Sequence, residues 1–252
     1  MPSPTGIAGV LAGPDVFALD VVITGALALA LPLARGWAGA RVGETQAQRG
    51  AAMRRLGLGM LAWLVLTGAL GASGVLDVWT LPPRIVPLFV LLLLVTFGLA
   101  WSSDGRVLAE GLPWSVLIGY QVFRLPVEFM LHRAYEQHVI GVQMTWSGRN
   151  LDVVTALLAG LLGVWLWRRG ESEPPARRLV LAWNLLGLGL LINIVTIAIA
   201  STPTFAAFPG PPNTFVAHFP YVWLPTVMVA AALFGHLLVF RRLRRDAVGA
   251  RG

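Results

Sequence analysis

Residues 120–152 read YQVFRLPVEFMLHRAYEQHVIGVQMTWSGRNLD, and the fold turns on the nature of the first half of this stretch. It is apolar enough for a buried helix, yet it carries Arg124, Glu128 and His132. The i, i+4, i+8 spacing keeps all three near one helix face. A lone ionised side chain at the centre of a bilayer costs about 2.5–3.5 kcal/mol on insertion scales. An arginine and a glutamate one turn apart can neutralise each other and cost less than their sum, provided their face is turned into a helix bundle. The expectation is a membrane-spanning helix whose polar seam, with Gln121 added, points inward, Glu128 holding Arg124 in place. Pro126 leaves the carbonyl of Val122 without its helical donor and predicts a kink. Beyond it, residues 139–150 mix apolar side chains with Gln143, Thr145, Ser147 and Arg149, as in a segment that folds back over the bundle as a lid. Gly148 allows a tight turn there, and Asn150 suits the N-cap of the next helix. The segment 202–218, uncharged up to His218 and carrying four prolines, is expected to form the other half of the lid.

The rest of the chain agrees with a membrane setting. Of its 252 residues 56% are hydrophobic and 12% charged, and the mean hydropathy is +0.72. A soluble domain carries about 25% charged residues. Continuous apolar runs, without the two-residue alternation of barrel strands, predict helices. Seven such runs lie at about 16–34, 56–76, 85–101, 112–135, 151–167, 179–201 and 219–240. Residues 102–110 read as a short polar turn between the third and fourth. With the amino terminus outside, fifteen arginines fall on the cytoplasmic side and three (Arg84, Arg133, Arg149) on the outer side, with Arg124 left inside the bilayer. The positive-inside rule predicts such an imbalance, and one span more or fewer would scramble it. The chain is therefore expected to be all-α: a polytopic, seven-transmembrane-helix bundle forming one domain, with its carboxyl terminus cytoplasmic. The first thirteen residues hold no basic side chain, so no cleavable signal is expected.

Composition also excludes chemistry. All 19 basic residues are arginine, so no lysine is present to form a Schiff base with retinal or pyridoxal. No cysteine is present, which removes disulfides, haem thioethers, iron–sulfur clusters and thiol catalysis. The arginines follow membrane sides, so the expected partners are the lipid bilayer and a small-molecule ligand, with no nucleic acid. Nothing in the sequence speaks to oligomeric state.

Candidate ligand-binding residues are Arg124, Glu128, His132, Gln143, Thr145, Arg149, Asn150, Asp152, Asp20 and Gln121. Asp20 lies near the outer end of the first span and Asp152 in the first turn of the fifth, placing both in the outer half with Glu128 and His132. Asn184 and Asn193 are nine residues apart and face opposite ways, with Asn193 the one expected at the outer cavity. His236 reads as a packing histidine. Glu128 and His132 could share a metal with Asp20 or Asp152, and His132 with His218 is the pair available for haem. Neither HxxxH nor HExxH occurs, so no metal or cofactor is expected. Three functional readings follow: a small polar or anionic ligand bound in an outward-facing cavity, for transport or sensing, with Arg124 as the anion partner; an intramembrane enzyme on a lipid-linked substrate, with Glu128 or Asp152 as base and His132 as acid or base; or a structural membrane subunit.

The pattern Phe123-Arg124-x-x-x-Glu128, then Gln143-Met144-Thr145, Gly148-Arg149-Asn150-x-Asp152, and FPYVWLP at 219–225, resembles a family of uncharacterised bacterial multi-pass membrane proteins. Leu151 stands where that family is expected to carry an aromatic residue. The expected setting is the bacterial inner membrane; the resemblance implies only that these positions form one unit. It carries over no activity.

Overall fold

The computed structural model describes residues 12–170 and 177–249. Among them the chain is helical with no strand: α1 (Pro14–Arg41), α2 (Gln46–Ala72), α3 (Ile85–Trp101), α4 (Ser103–Gly111), α5 (Trp114–Gly119), α6 (Arg124–Glu136), α7 (Asp152–Arg169), α8 (Arg177–Ala200) and α9 (Ala230–Gly249). Large apolar side chains stand outward, among them Val22, Leu29, Leu58, Leu94 and Leu161. Such an exterior suits lipid and would be a continuous liability in water.

Among the described residues four stretches are long and apolar enough to cross a membrane: α1, α2, α8 and the continuous helix from Leu224 to Ala247. α3 and α4, bent by 61° at their junction, make a fifth if they cross as one. α3 alone has 17 residues, and α7 has 18, including Asp152, Arg168 and Arg169.

The structure corrects the expected elements in three places. α1 and α2 run past the ends of their apolar runs and meet in a tight hairpin. There Thr45 and Gln48 form a capping box: the Thr45 hydroxyl accepts from the Gln48 amide at 3.3 Å, and Gln48 Oε1 from the Thr45 amide at 2.9 Å. Residues 102–110, expected as a turn, contain α4. The Ser102 hydroxyl accepts from the Gly105 amide at 3.2 Å, Asp104 sits in the first turn, and Val107 and Leu108 are buried on its inner face. The expected fourth span is not one helix. α5 gives way to a 3₁₀ turn over Tyr120–Phe123 before α6 begins at Arg124. This turn sits where Pro126 removes the donor for Val122, so the anticipated kink is a local tightening.

Packing concentrates around α9 and the π-helical segment Leu224–Val229 that precedes it. α9 contacts α3, α4, α5 and α8, and α1 packs on α2, α4, α6 and the π-helical segment. The arginine-rich end is clasped by charge. Arg35 forks onto Glu44 at 2.7 and 2.8 Å and donates to Asp104 at 2.8 Å, and Arg55 reaches Asp104 at 2.6 Å. Arg241 and Arg242 donate to carbonyls ending α3 and α4, which satisfies helix C-termini that would otherwise be orphaned.

Candidate functional site

α6 brings Arg124 and Glu128 inward, and both are buried. Arg124 does not pair with Glu128, as its spacing suggested. Its Nε donates to Asp152 Oδ2 at 2.5 Å and its Nη2 to Oδ1, a side-on fork across from α6 to α7. Two features favour Asp152. It is the first residue of α7, where the positive end of the helix dipole meets a carboxylate. The fork also gives two parallel charge-assisted hydrogen bonds, which fix the geometry of the pair.

Asn150 organises this end of α7. Leu151 is the N-cap residue, so Asn150 stands one position earlier than expected, yet its Oδ1 accepts from the Asp152 amide at 3.1 Å. Its Nδ2 donates to both Glu128 oxygens at 2.7 Å and to the Met144 carbonyl at 3.1 Å. One side-chain amide thus ties the Glu128 carboxylate to the backbone at the start of α7 and to the connection 137–151. That connection is packed into the bundle: Ile140, Met144, Thr145 and Asn150 are buried. Gly148 is needed there, since a Cβ would lie 2.1 Å from the Val142 carbonyl oxygen.

Two residues read as bystanders belong to the site. Arg124 Nη1 lies 3.2 Å from His236 Nε2, and His236 Nδ1 lies 2.8 Å from Asn184 Oδ1. Arginine can only donate, so Nε2 accepts, and the ring proton sits on Nδ1, facing the Asn184 oxygen. Asn184 Nδ2 donates to the His236 carbonyl at 3.2 Å. The chain Asn184–His236–Arg124–Asp152 therefore links α8, α9, α6 and α7 with a neutral imidazole. Asn184, not Asn193, is the asparagine that joins; Asn193 donates to the Arg149 carbonyl instead, at 3.0 Å. The signal for His236 and Asn184 was present in the sequence, as polar residues inside apolar runs.

Other candidates lie elsewhere. His132 stacks on Trp146 at 4.2 Å between centroids and does not line the cavity beside Arg124. Gln143 donates to Ser201 at 2.9 Å, and Thr145 to the Val142 carbonyl at 2.9 Å. Arg149 is exposed, over the Phe208 ring. Gln121 is buried and donates to the Ala232 carbonyl at 3.0 Å. Asp20 is fully buried on α1 with Thr24 as its polar neighbour and is not a cavity residue. Among the described residues no three His, Asp or Glu side chains gather to hold a metal ion.

A cavity of about 330 Å³ opens beside the pair. Arg124, Glu128 and Asp152 are its charged members; nearly all other lining residues are apolar, from α3, α6, α8 and the π-helical segment. Val86, Ile199 and Phe205 line it and are also exposed, which places its mouth between the start of α3 and the end of α8. The loops over that mouth are joined where the Thr204 hydroxyl donates to the Trp79 carbonyl at 2.6 Å. Met144 is the part of the connection 137–151 that reaches the cavity.

No family model, curated protein or solved structure matches this chain. The site must therefore be read from its own geometry.

Proposed function

We propose that this is an integral protein of the bacterial cytoplasmic membrane, crossing it seven times with its amino terminus outside, and that its bundle binds a small-molecule ligand in an outward-facing cavity, for transport or sensing. The observation that carries the reading is the cavity of about 330 Å³ with Arg124, Glu128 and Asp152 in an otherwise apolar wall. That volume falls in the roughly 300–1,000 Å³ range of ligand pockets, which are mainly apolar with a few converging polar groups. Ionisable side chains within a membrane bundle are, by default, functional.

Arginine placement supports seven crossings; by length and apolarity four stretches qualify outright, and α3 with α4 makes a fifth. At 1.5 Å per residue the 17 residues of α3 span about 26 Å, close to a hydrocarbon core of about 30 Å. Residues 114–136 cross as a broken helix, and interrupted helices are where transporters commonly place their sites. Transport or sensing is preferred to catalysis because His132, the candidate acid or base, is stacked on Trp146 away from the cavity.

The absence of cysteine makes a clean labelling test. A cysteine at Phe205, at the cavity mouth, should react with a membrane-impermeant maleimide in intact cells. One at Ala47, exposed at the start of α2, should react only after permeabilisation. The reverse pattern would overturn the topology, and with it the outward-facing cavity.

A further inference from the structure

The charges at the cavity do not add up to an anion site. Arg124 is matched by Asp152 in a two-point fork. His236 presents a lone pair to Arg124 and is neutral, as its hydrogen bonds require. Glu128 is then the one charged group of the cavity wall without an opposite charge bonded to it; its hydrogen-bond donor is the neutral amide of Asn150. Counted with every group ionised, the site carries one negative charge; counted with Glu128 protonated, it carries none. In neither state does it present the excess positive charge that holds a carboxylate or phosphate. An anion would have to displace Asp152 from Arg124 and leave that carboxylate buried and unpaired.

The walls add a second constraint. From Glu128 to the exposed edge at Val86, Ile199 and Phe205 the lining is aliphatic and aromatic apart from Thr202 and Asn213, with Val127, Val195 and Met228 along the way. A compact, strongly hydrated solute would lose its hydration there and gain few partners. A chain of methylene groups would gain burial along the whole length. Val86 and Ile199 lie on helices whose outer faces suit lipid, so the mouth is within reach of the bilayer.

Resting on the ligand-binding reading above, we propose that the cavity takes a long-chain amphiphile whose head is an uncharged or cationic hydrogen-bond donor, such as a hydroxyl or an ammonium, placed at Glu128 with its chain between α3 and α8. Glu128 accepts the head's hydrogen bond, Asn150 holds the carboxylate in position, and Arg124–Asp152 closes the inner wall.

The test uses the full chain in lipid nanodiscs with three photoreactive probes of equal chain length, each with a diazirine in the chain: an alcohol, an amine and a carboxylate. Labelled peptides are mapped by mass spectrometry, with the lipid-facing surface around Leu161 as background. Expected is labelling of α3 and α8 lining residues by the alcohol and the amine, about tenfold above the carboxylate, the effect of one hydrogen bond to a charged group. Excess unlabelled alcohol should remove this labelling, and Val195→Trp, which fills the cavity, should abolish it. Glu128→Gln should reduce amine labelling about tenfold. A carboxylate that labels as strongly as the other two, while still being competed by excess alcohol, overturns the head-group class and leaves the cavity as a ligand site. Labelling of the lining by none of the three above the Leu161 background, or labelling that excess alcohol does not compete, overturns the amphiphile and leaves the ligand-binding reading to ligands without a long chain.

Discussion

The residue that decides the site is Asp152. Buried with Arg124 and forked onto it, it turns a charge that bilayer energetics disfavour into a neutral pair. Removing one member of such a pair leaves the other buried and uncompensated, at a cost of about 3–5 kcal/mol, whereas replacing both with apolar side chains is often neutral. Arg124→Gln and Asp152→Asn should each lower unfolding stability in detergent by that order, and Arg124→Met combined with Asp152→Leu should recover most of the loss. A loss in the double variant equal to the sum of the two single losses would show that the two side chains do not act as a pair. The sequence made Arg124 and Glu128 legible as inward-facing residues of one helix, because the i, i+4 rule is local. It could not make the partner legible. Glu128 and Asp152 compete for the same guanidinium, and the outcome depends on where α7 begins and how Asn150 turns, both tertiary facts. His236 and Asn184 were underrated for a simpler reason: each is a single polar residue in an apolar run, and each needs the other to look like a site.

At the scale of the element, two contacts hold the bundle in the register that the site requires. α8 comes close enough for Asn184 to reach His236 because Gly187 has no side chain; a Cβ there would lie 2.6 Å from His236 Cε1 and 2.7 Å from Thr155 Cγ2. Gly187→Ala should push α8 outward, at about 1–3 kcal/mol for overpacking, and should lower probe labelling at α8 while helix content by circular dichroism is kept. At the other end, the fork from Arg35 onto Glu44 holds the Glu44 carboxyl below the usual carboxylate range. A carboxyl depressed in the folded state contributes stability that is present above its unfolded value and lost as pH falls through its folded one. The difference in thermal midpoint between the natural chain and Glu44→Gln should therefore be largest near neutral pH and close on acidification below the ordinary glutamate range; a gap independent of pH would contradict the assignment. The helical hairpin and α4 were partly legible, since Thr45-x-x-Gln48 and Ser102 before Asp104 are cap signals. An apolar run ends at its first charge, whereas a capped helix continues past it, so hydropathy alone does not reveal either element.

For the molecule as a whole, the membrane character was plain in composition, and the long apolar helices with their apolar exterior agree with it. A cavity beside Arg124 and Glu128 was legible, but not its walls. It exists because α3 and α8 each pack on α9 and stand as two sides of a space in front of the π-helical segment, and no local pattern encodes the distance between two helices. In the proposed bundle α6 turns its charged face into that space and its opposite face to lipid. Val127 lines the cavity, while Phe129, two residues on, is half-exposed on the other face. The most direct measurement is oxygen accessibility by electron paramagnetic resonance of nitroxides placed singly at these two positions in a bilayer. Expected is high collision with membrane-dissolved oxygen at position 129 and shielding at position 127; equal accessibility at the two, or the reverse order, would contradict it.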